Sequence, residues 1–401
     1  MSIASKRSIY LDNAAATPLD PRVKQEMSKA LELCGNPSSF NDVGREARDK
    51  LEKSRSVVAR FLGSRPEEII FTSSGSEANN LAILGLTKIY KKPAEIIATS
   101  IEHPSVLELL KVLKYQGWKI TYLKVDPEGF VNLKDLEEKL NPEVVLVSII
   151  YANNEIGTIQ PIFKISKILK DFNKKLEIEN WKLKIRETKR VLFHVDACQA
   201  TGYLEMNVNN LGVDLVVFNG SKIYGPKGVG VLYKKRRVSL QPLICGGNQE
   251  HGLRAGTENL PAIVGLAKAV SLIEKREGVK MSKLRDYFLD KVGEIMPDVK
   301  INGSLGNKRL ANNINISLPN LDSESLLLEL DKYGVYASSG SACTARSVEP
   351  SHVLKAIGVE KKYIHGALRF SLGRQTTRND LNRLLKVLPK IVINLKKRYK
   401  K

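Results

Sequence analysis

Two short segments decide the fold: Val191-Leu-Phe-His-Val-Asp196 and Asp214-Leu-Val-Val-Phe-Asn219. Both are rich in β-branched and aromatic residues and almost continuously hydrophobic, a pattern typical of strands that helices cover on both faces of a sheet. Five further segments share the pattern, namely 68–72, 95–99, 119–123, 144–148 and 230–233. Because helical patterns separate several of these strands, the sequence predicts a mainly parallel, seven-stranded α/β sheet.

Polar residues follow several strands, at the sheet edge where parallel α/β folds bind ligands. Ser74-Gly-Ser-Glu77 follows one strand and opens a helix. Its backbone N–H groups and the Ser76 hydroxyl would form an anion site, although the same residues fit an ordinary capping box. Asp196 would pair with the protonated nitrogen of a bound pyridine ring or, alternatively, cap a helix. Gln199 would hydrogen-bond a hydroxyl group on that ring.

His103 and Lys222 follow two other predicted strands. An imidazole at His103 would stack on a pyridine ring and move protons near neutral pH, although a single histidine is often structural. Lys222 reads as the Schiff-base lysine of a pyridoxal phosphate enzyme, although its local composition predicts only a loop. A phosphate anchor, a carboxylate for the pyridine nitrogen, a stacking ring and a lysine are what this cofactor requires.

One cysteine lies in a loop of small residues, Ser338-Ser-Gly-Ser-Ala-Cys-Thr344. Glycine and serine give such a backbone freedom to move, and the sequence has no second cysteine nearby. A thiol displayed in this way suits a nucleophile that accepts a group and carries it away. The alternative is a surface turn that happens to contain Cys343. A pyridoxal lysine together with a mobile thiol indicates sulfur chemistry on an amino acid.

The strand–helix alternation ends near Gly256. Beyond it we expect a helix from about residue 257 toward residue 277, and then strands and helices of a smaller α+β domain. The predicted domains are an N-terminal segment that packs with the small domain (1–18), a large cofactor-binding α/β domain (19–256) and a small α+β domain that carries the cysteine loop (257–401). The basic segment 173–190 looks inserted, and either extends a helix or forms a surface hairpin.

Composition bounds the class of protein. The 401 residues are 42% hydrophobic, enough for a large core, and no apolar run approaches the roughly 20 residues that cross a bilayer. Four scattered cysteines form no zinc or disulfide pattern, and residues 1–10 lack the order of a secretory signal, so we expect a cytoplasmic protein. No membrane association is expected.

The net charge is +21, and its two densest local contributions are residues 182–190 and 386–401. Such basic runs could hold RNA or an acidic protein, or they could be a charged insertion and the solvated face of a terminal helix. Because no aromatic RNA-binding motif accompanies them, nucleic acid is not indicated beyond the charge itself.

The chain resembles the group I cysteine desulfurases of the class-V aminotransferase family nearly end to end. The resemblance rests on eight motifs in order: Tyr10-Leu-Asp-Asn-Ala-Ala-Ala-Thr-Pro18, Gly35-Asn-Pro-Ser-Ser39, Glu102-His-Pro-Ser-Val106, Asn153-Asn-Glu-Ile-Gly157, His194-Val-Asp-Ala-Cys-Gln199, Arg254-Ala-Gly-Thr-Glu-Asn259, Ser339-Gly-Ser-Ala-Cys-Thr344 and Arg369-Phe-Ser-Leu-Gly-Arg374. It implies the pyridoxal phosphate-dependent transferase fold, which is aspartate aminotransferase-like.

The resemblance also implies a role for each matching residue. The catalytic residues would be Cys343, Lys222 and His103. The cofactor would be bound by Gly75, Ser76, His103, Asn154, Asp196, Gln199, Asn219, Gly220, Ser221 and Lys222, with Thr257 contributed by the second subunit of a homodimer. The substrate carboxylate would be bound by Arg369, with Asn154 beside it.

Two positions depart from the family pattern. Ser221 stands where the family usually has histidine, and Asn219 stands where it often has serine. Both can still donate hydrogen bonds to a phosphate, but the cationic donor is absent, so we expect somewhat weaker cofactor retention. Cys198, where the family often has threonine, is interpreted as a packing residue.

The activity that the resemblance implies is conversion of L-cysteine to L-alanine, with a persulfide formed on Cys343. An iron–sulfur scaffold protein is the expected acceptor of the sulfur, and thiolation is the other expected use of it. The only metal contact expected is a transient one between Cys343 and a nascent cluster on the scaffold. One alternative is selenocysteine lyase or another class-V enzyme, and another is a sulfur-relay or RNA-associated protein without catalysis.

Overall fold

The computed structural model describes residues 8–182, 190–340 and 350–399. Its β-strands are β1 Ile9–Tyr10, β2 Ile69–Thr72, β3 Glu95–Thr99, β4 Lys119–Leu123, β5 Val144–Ile150, β6 Leu192–Asp196, β7 Leu215–Asn219, β8 Gly230–Lys234, β9 Lys300–Ile301, β10 Asn313–Ser317, β11 Val335–Tyr336 and β12 Ala367–Ser371. Its α-helices are α1 Pro21–Leu31, α2 Asp42–Leu62, α3 Gly75–Thr87, α4 Pro104–Tyr115, α5 Leu133–Lys139, α6 Ile162–Lys182, α7 Val208–Leu211, α8 Leu260–Ser271, α9 Lys275–Ile295, α10 Ser323–Lys332, α11 His352–Ala356, α12 Lys361–Ile364 and α13 Arg378–Tyr399.

The large sheet has seven strands in the order β2-β8-β7-β6-β5-β3-β4. From β7 to β4 every neighbouring pair is parallel, and β8 runs antiparallel to both of its neighbours. Every residue of β3 and β5 is buried, which explains why these segments are hydrophobic throughout. The predicted seven-stranded, mainly parallel sheet is confirmed.

Helices cover both faces of this sheet. One apolar cluster packs α1, α2 and α8 against one face, and a second packs α3 and α4 against the other. Since the parallel strands all end at the same edge, this layering leaves the loops that follow β3, β5, β6 and β7 together at that edge.

A smaller unit is built on the antiparallel sheet β12-β10-β9, against which α9, α10 and α13 pack. The short β1 pairs in parallel with β11 of this unit. The domain division made from the sequence stays a prediction. Because α8 packs into the core of the large sheet, the structure favours a join after α8 rather than at residue 256.

One element prediction needs correction, and one of two alternatives is favoured. The single helix expected from about residue 257 to 277 is two helices, α8 and α9, separated at residues 272–274. The polar segment that looked inserted extends α6 as far as Lys182, and its remaining residues, 183–189, lie outside the described part of the chain. No helix in the described residues combines the length and apolarity needed to span a bilayer.

Candidate active site

The predicted site residues lie in a row along one edge of the large sheet. Four neighbouring parallel strands, β7, β6, β5 and β3, carry them in order, because each residue ends its strand or follows it. These are Asn219 to Lys222 after β7, Asp196 at the end of β6, Asn154 after β5 and His103 after β3. Four signals that were separate in the sequence are therefore brought together by the sheet.

Asp196 is a buried carboxylate with two neutral donors. Its Oδ1 accepts from the Cys198 backbone N–H at 3.0 Å, and its Oδ2 accepts from Asn79 Nδ2 at 2.8 Å. A carboxylate held by neutral donors at a strand end keeps its negative charge available for a cationic ring nitrogen. Sequence reasoning missed Asn79, which lies one turn into α3 from Gly75 and on the same face.

The imidazole ring of His103 caps the N-terminus of α4. Its Nδ1 accepts from the Ser105 backbone N–H at 3.1 Å and lies 2.8 Å from Ser105 Oγ. The Ser105 hydroxyl also accepts from Asn79 Nδ2 at 2.9 Å. Ser105, another residue that the sequence did not single out, thus links His103 to Asn79 and through it to Asp196.

The N-terminus of α3 is the predicted phosphate site. Ser74 caps it, since Ser74 Oγ accepts from the Glu77 backbone N–H at 3.1 Å, and Ser76 is exposed. A Cβ added at Gly75 would lie 2.7 Å from Cys198 Sγ and 2.9 Å from Asn219 Nδ2. Glycine therefore lets the helix end approach the ends of β6 and β7 closely, and a helix N-terminus is a place where backbone N–H groups can bind an anion.

The two departures from the family pattern contact each other. Ser221 Oγ donates to Asn219 Oδ1 at 2.9 Å, and Asn219 Nδ2 donates to Cys198 Sγ at 3.4 Å. Burial, and the negative charge of Asp196, raise the pKa of the Cys198 thiol well above its usual value. A thiol that stays protonated and accepts a hydrogen bond is a packing residue, which supports the sequence interpretation.

Lys222 ends the turn that follows β7, and the N-terminal segment covers it. Lys222 Nζ donates to the Ala15 carbonyl, and the Thr17 backbone N–H donates to the Ser221 carbonyl at 2.8 Å. Gln199 is tied to the same segment, because its Nε2 donates to the Ala14 carbonyl at 2.9 Å. The segment 14–17 therefore positions both Gln199 and Lys222.

Arg369, on β12, is 1% exposed and joins three distant parts of the chain. Its Nη1 donates to the Asn154 carbonyl at 3.0 Å, and its Nη2 pairs with Asp12 Oδ1 at 2.9 Å. Its Nε is buried and has no partner among the described groups. A guanidinium with unused donors beside the sheet edge is suited to bind a carboxylate. Asp12 was quoted in a motif but given no role.

The first residue of the cysteine loop, Ser338, pairs with Arg369. Ser338 and Arg369 form a backbone bridge, with N–H···O distances of 3.1 and 2.6 Å. On the far side of the loop, Ser351 Oγ donates to Glu155 Oε2 at 2.5 Å, and a Cβ at Gly340 would lie 3.0 Å from that same oxygen. Both described flanks thus meet at Glu155, which the sequence analysis did not assign. Cys343 itself lies outside the described residues.

Thr257 is exposed, in the loop that precedes α8. Arg254, three residues earlier, pairs with Glu77 at 3.0 Å and so ties this loop to the first turn of α3. Among the described residues, no contact joins the Thr257 hydroxyl to the residues of the phosphate site, and its role stays a prediction.

Glu102, next to His103, is fully buried. Its Oε1 accepts from the Ile150 backbone N–H at 2.9 Å, and no described group pairs with its Oε2. Burial raises the pKa of Glu102 to about 8, and the charge of Asp196 adds to the rise. A protonated carboxyl at neutral pH therefore lies beneath the row of site residues.

These residues fit pyridoxal phosphate. The glycine cradle at the start of α3 suits a phosphate, the buried Asp196 suits a protonated pyridine nitrogen, and Lys222 supplies the amine. No group of three or more His, Cys, Asp or Glu in the described ranges is arranged to hold a metal ion.

Comparison with known proteins agrees with this geometry. The aminotransferase class-V family model matches residues 9–384. A cysteine desulfurase IscS from Dictyoglomus turgidum is 45% identical over 98% of this chain and 96% of its own length. A solved NifS-like protein superposes with a TM-score of 0.87 at 37% identity, covering 97% of this chain and 100% of that one. A third relative, solved as SspA in complex with cysteine, gives a TM-score of 0.77 at 31% identity, over 91% and 99% of the two chains.

A family model that spans nearly the whole chain, and relatives that match it end to end, confirm both the resemblance and the expected fold. The chain belongs to the class-V aminotransferase family and, within it, to the cysteine desulfurases.

Proposed function

We propose that this chain is a pyridoxal phosphate-dependent cysteine desulfurase that converts L-cysteine to L-alanine and forms a persulfide on Cys343. Family membership supports the reaction class, and a relative solved with cysteine supports the substrate. The observation that carries the proposal is the backbone bridge between Ser338 and Arg369. It fixes the first residue of the cysteine loop beside the side chain that is suited to bind the substrate carboxylate.

The residues divide the work between binding and proton transfer. Gly75, Ser76 and the turn 219–221 would hold the cofactor phosphate, Asp196 the pyridine nitrogen and Gln199 the ring hydroxyl, while His103 stacks and Thr257 reaches in from a second subunit. When bound, the cofactor supplies an electron sink that makes the α-hydrogen of the amino acid acidic.

The remaining steps belong to the protein. Arg369 orients the substrate carboxylate beside Asn154, and Lys222 Nζ, once free, takes the α-proton. The Cys343 thiolate attacks the substrate sulfur, so that the S–S bond forms as the C–S bond breaks. The carbon skeleton gains protons and leaves as alanine. The sum, cysteine plus enzyme thiol giving alanine plus enzyme persulfide, needs no external oxidant.

The decisive experiment follows alanine and persulfide together. Purified protein loaded with pyridoxal phosphate is given L-cysteine, and we expect both products from wild type, neither from Lys222→Ala, and no transferable persulfide from Cys343→Ser. Cys245→Ser is the matched control, because Cys245 is a free, exposed cysteine that lies far from the cysteine loop in the sequence. Wild type that binds the cofactor and releases no alanine would overturn the proposal.

A homodimer and an iron–sulfur scaffold acceptor complete the proposal. If Thr257 acts across the dimer, mixing the inactive Lys222→Ala chain with a Thr257→Ala chain restores one intact site in each hybrid dimer. Activity above that of either parent supports the arrangement, and strict averaging of the two parents contradicts it. Selenocysteine lyase is separated by comparing alanine release from selenocysteine and from cysteine.

A further inference from the structure

A continuous chain of hydrogen bonds connects the two ring-binding residues, Asp196 and His103. Asn79 Nδ2 lies 2.8 Å from Asp196 Oδ2 and 2.9 Å from Ser105 Oγ, and Ser105 Oγ lies 2.8 Å from His103 Nδ1. Asn79 is fully buried. The two linking residues come from different helices, α3 and α4, which pack on each other.

The chemistry of the groups fixes the direction of every hydrogen in this chain. An ionised carboxylate only accepts, so Asn79 must turn its NH₂ rather than its carbonyl toward Asp196, and the second N–H then points at Ser105 Oγ. The Ser105 hydroxyl, already accepting, sends its one hydrogen to His103 Nδ1. Since the Ser105 backbone N–H also donates to Nδ1, that nitrogen must carry a lone pair.

We propose that Asn79 and Ser105 are positioning residues. They hold His103 as the Nε2–H tautomer, and their hydrogen bonds couple the protonation of His103 to the charge of Asp196. This inference rests on the proposed function, in which His103 stacks on the cofactor and assists proton transfer. A ring locked through Nδ1 presents one defined donor, Nε2–H, toward the site.

The buried state of Asn79 supports a role beyond packing. Its Oδ1 is buried without a partner among the described groups, a loss that an apolar side chain would avoid. What the amide gains is its two donated bonds, one at each end of the link between Asp196 and Ser105.

A simpler interpretation is that His103 only caps α4, because the Ser105 backbone N–H donates to its ring. A cap of that kind needs neither the Ser105 hydroxyl nor Asn79. Ser105→Ala keeps the backbone donor and removes the link, so it separates the two interpretations.

The test is ¹⁵N NMR of the imidazoles in the full chain without cofactor, with the His103 signals assigned by His103→Gln. We expect an unprotonated, hydrogen-bonded Nδ1 and a protonated Nε2 in wild type. Ser105→Ala moves the Nδ1 resonance toward that of an unbonded imidazole nitrogen, and Ser105→Thr restores it. Asp196→Asn also moves it, because the Asn79 amide is then free to turn over, whereas Cys198→Ala leaves it unchanged. The other four histidines report whether each variant is folded.

Kinetics of the loaded enzyme give a second readout. Ser105→Ala is expected to lower kcat about tenfold with KM for cysteine within twofold, and adding Asn79→Leu lowers it little further, because both changes break one chain. His103 resonances indifferent to Ser105→Ala, a protonated Nδ1 in wild type, or additive losses overturn the inference. Failure of the proposed function looks different, since wild type would then release no alanine while the NMR pattern persisted.

Discussion

The cofactor side and the substrate side of the site are built in different ways. On the cofactor side, Asp196 and Lys222 follow adjacent strands of one sheet, and the partners of Asp196 are neutral donors. On the substrate side, Arg369 meets Asp12 and Asn154, which are 357 and 215 positions away in the chain, and one of these contacts is an ion pair. The cofactor side is therefore built on one sheet, with the segment 14–17 contacting Gln199 and Lys222. The substrate side needs the N-terminal segment, the large sheet and the smaller unit to dock together.

This contrast predicts where substitutions are costly. A neutral donor removed near Asp196 leaves a carboxylate that other donors still hold. A cation removed from the substrate side leaves Asp12 without the partner that offsets its partial burial, and such losses cost several kcal/mol when the pair is buried. We therefore expect the largest single effect at Arg369.

Arg369→Lys is the sharpest way to break the substrate side. Lysine cannot reach the Asn154 carbonyl and Asp12 with the planar fork that Arg369 uses, and it cannot bind a carboxylate through two parallel bonds. We expect kcat/KM for cysteine to fall at least about 100-fold, mostly through KM, while the visible absorption of the bound cofactor is unchanged. Steady-state kinetics and an absorption spectrum measure the two quantities.

Asp12→Asn is the matched control for Arg369→Lys. The amide oxygen keeps an acceptor for Arg369 Nη2 and removes only the charge, so the loss in kcat/KM is expected to be less than about tenfold. An Arg369→Lys enzyme with KM within twofold of wild type would show that Arg369 serves the structure alone.

The second prediction concerns Glu102, which is fully buried next to His103. Its backbone carbonyl contacts His352 Nε2, at the start of α11, at 3.0 Å, and its carboxyl accepts from the Ile150 backbone N–H at the end of β5. Because burial raises the pKa of Glu102 to about 8, the native state holds this proton up to that pH, and the unfolded chain releases it near 4.5. Stability must therefore fall as pH rises from about 4.5 to 8, and level off above that range.

Glu102→Gln removes this pH dependence, since glutamine is neutral at every pH and keeps an acceptor for Ile150. The free energy of unfolding of the variant minus that of wild type should grow by about 2 kcal/mol between pH 6 and pH 8.5. Urea titrations of the cofactor-free proteins measure it. A difference that is flat with pH would mean that Glu102 is ionised in the folded protein.

The comparison of the two sides also explains how far sequence alone could go. Strand ends are visible as a polar residue after an apolar run, so Asp196, Asn219 and His103 could be placed without a structure. Asp12 and Glu155 lie in quoted motifs, but their partners come from contacts more than a hundred residues away in sequence. No local period encodes such a contact, because it depends on how distant parts of the chain dock.

The residues that lie near the site on a helix could be predicted from the sequence in part. Asn79 is four residues after Gly75 and so shares its face of α3, and Ser105 is two residues after His103. The spacing indicates that these side chains lie near the site. It does not indicate that α3 and α4 bring one amide between a carboxylate and a hydroxyl, which only the packing of the two helices determines.

The third prediction probes the close packing of the cofactor side. Gly75→Ala places a Cβ 2.7 Å from Cys198 Sγ and 2.9 Å from Asn219 Nδ2, so either these side chains or α3 must shift. We expect a loss of about 1–3 kcal/mol in the free energy of unfolding, together with weaker cofactor binding. Cys198→Ala in the same chain removes the first clash and should restore part of both, a non-additivity that urea titration and a cofactor titration detect. Strictly additive effects would place the strain elsewhere.

The smallest effect is expected where the chain departs from its family. The Ser221 hydroxyl already donates to Asn219 Oδ1, so little of its donor capacity is left for a phosphate. Ser221→Ala should then change the cofactor Kd by no more than about twofold, whereas Ser221→His adds a cationic donor and should tighten binding about three- to tenfold. An absorbance titration after removal of the cofactor measures both constants. Equal effects of the two variants would mean that position 221 acts on the cofactor only through Asn219, and that the cofactor side, like the substrate side, depends on contacts between protein groups more than on direct contacts with its ligand.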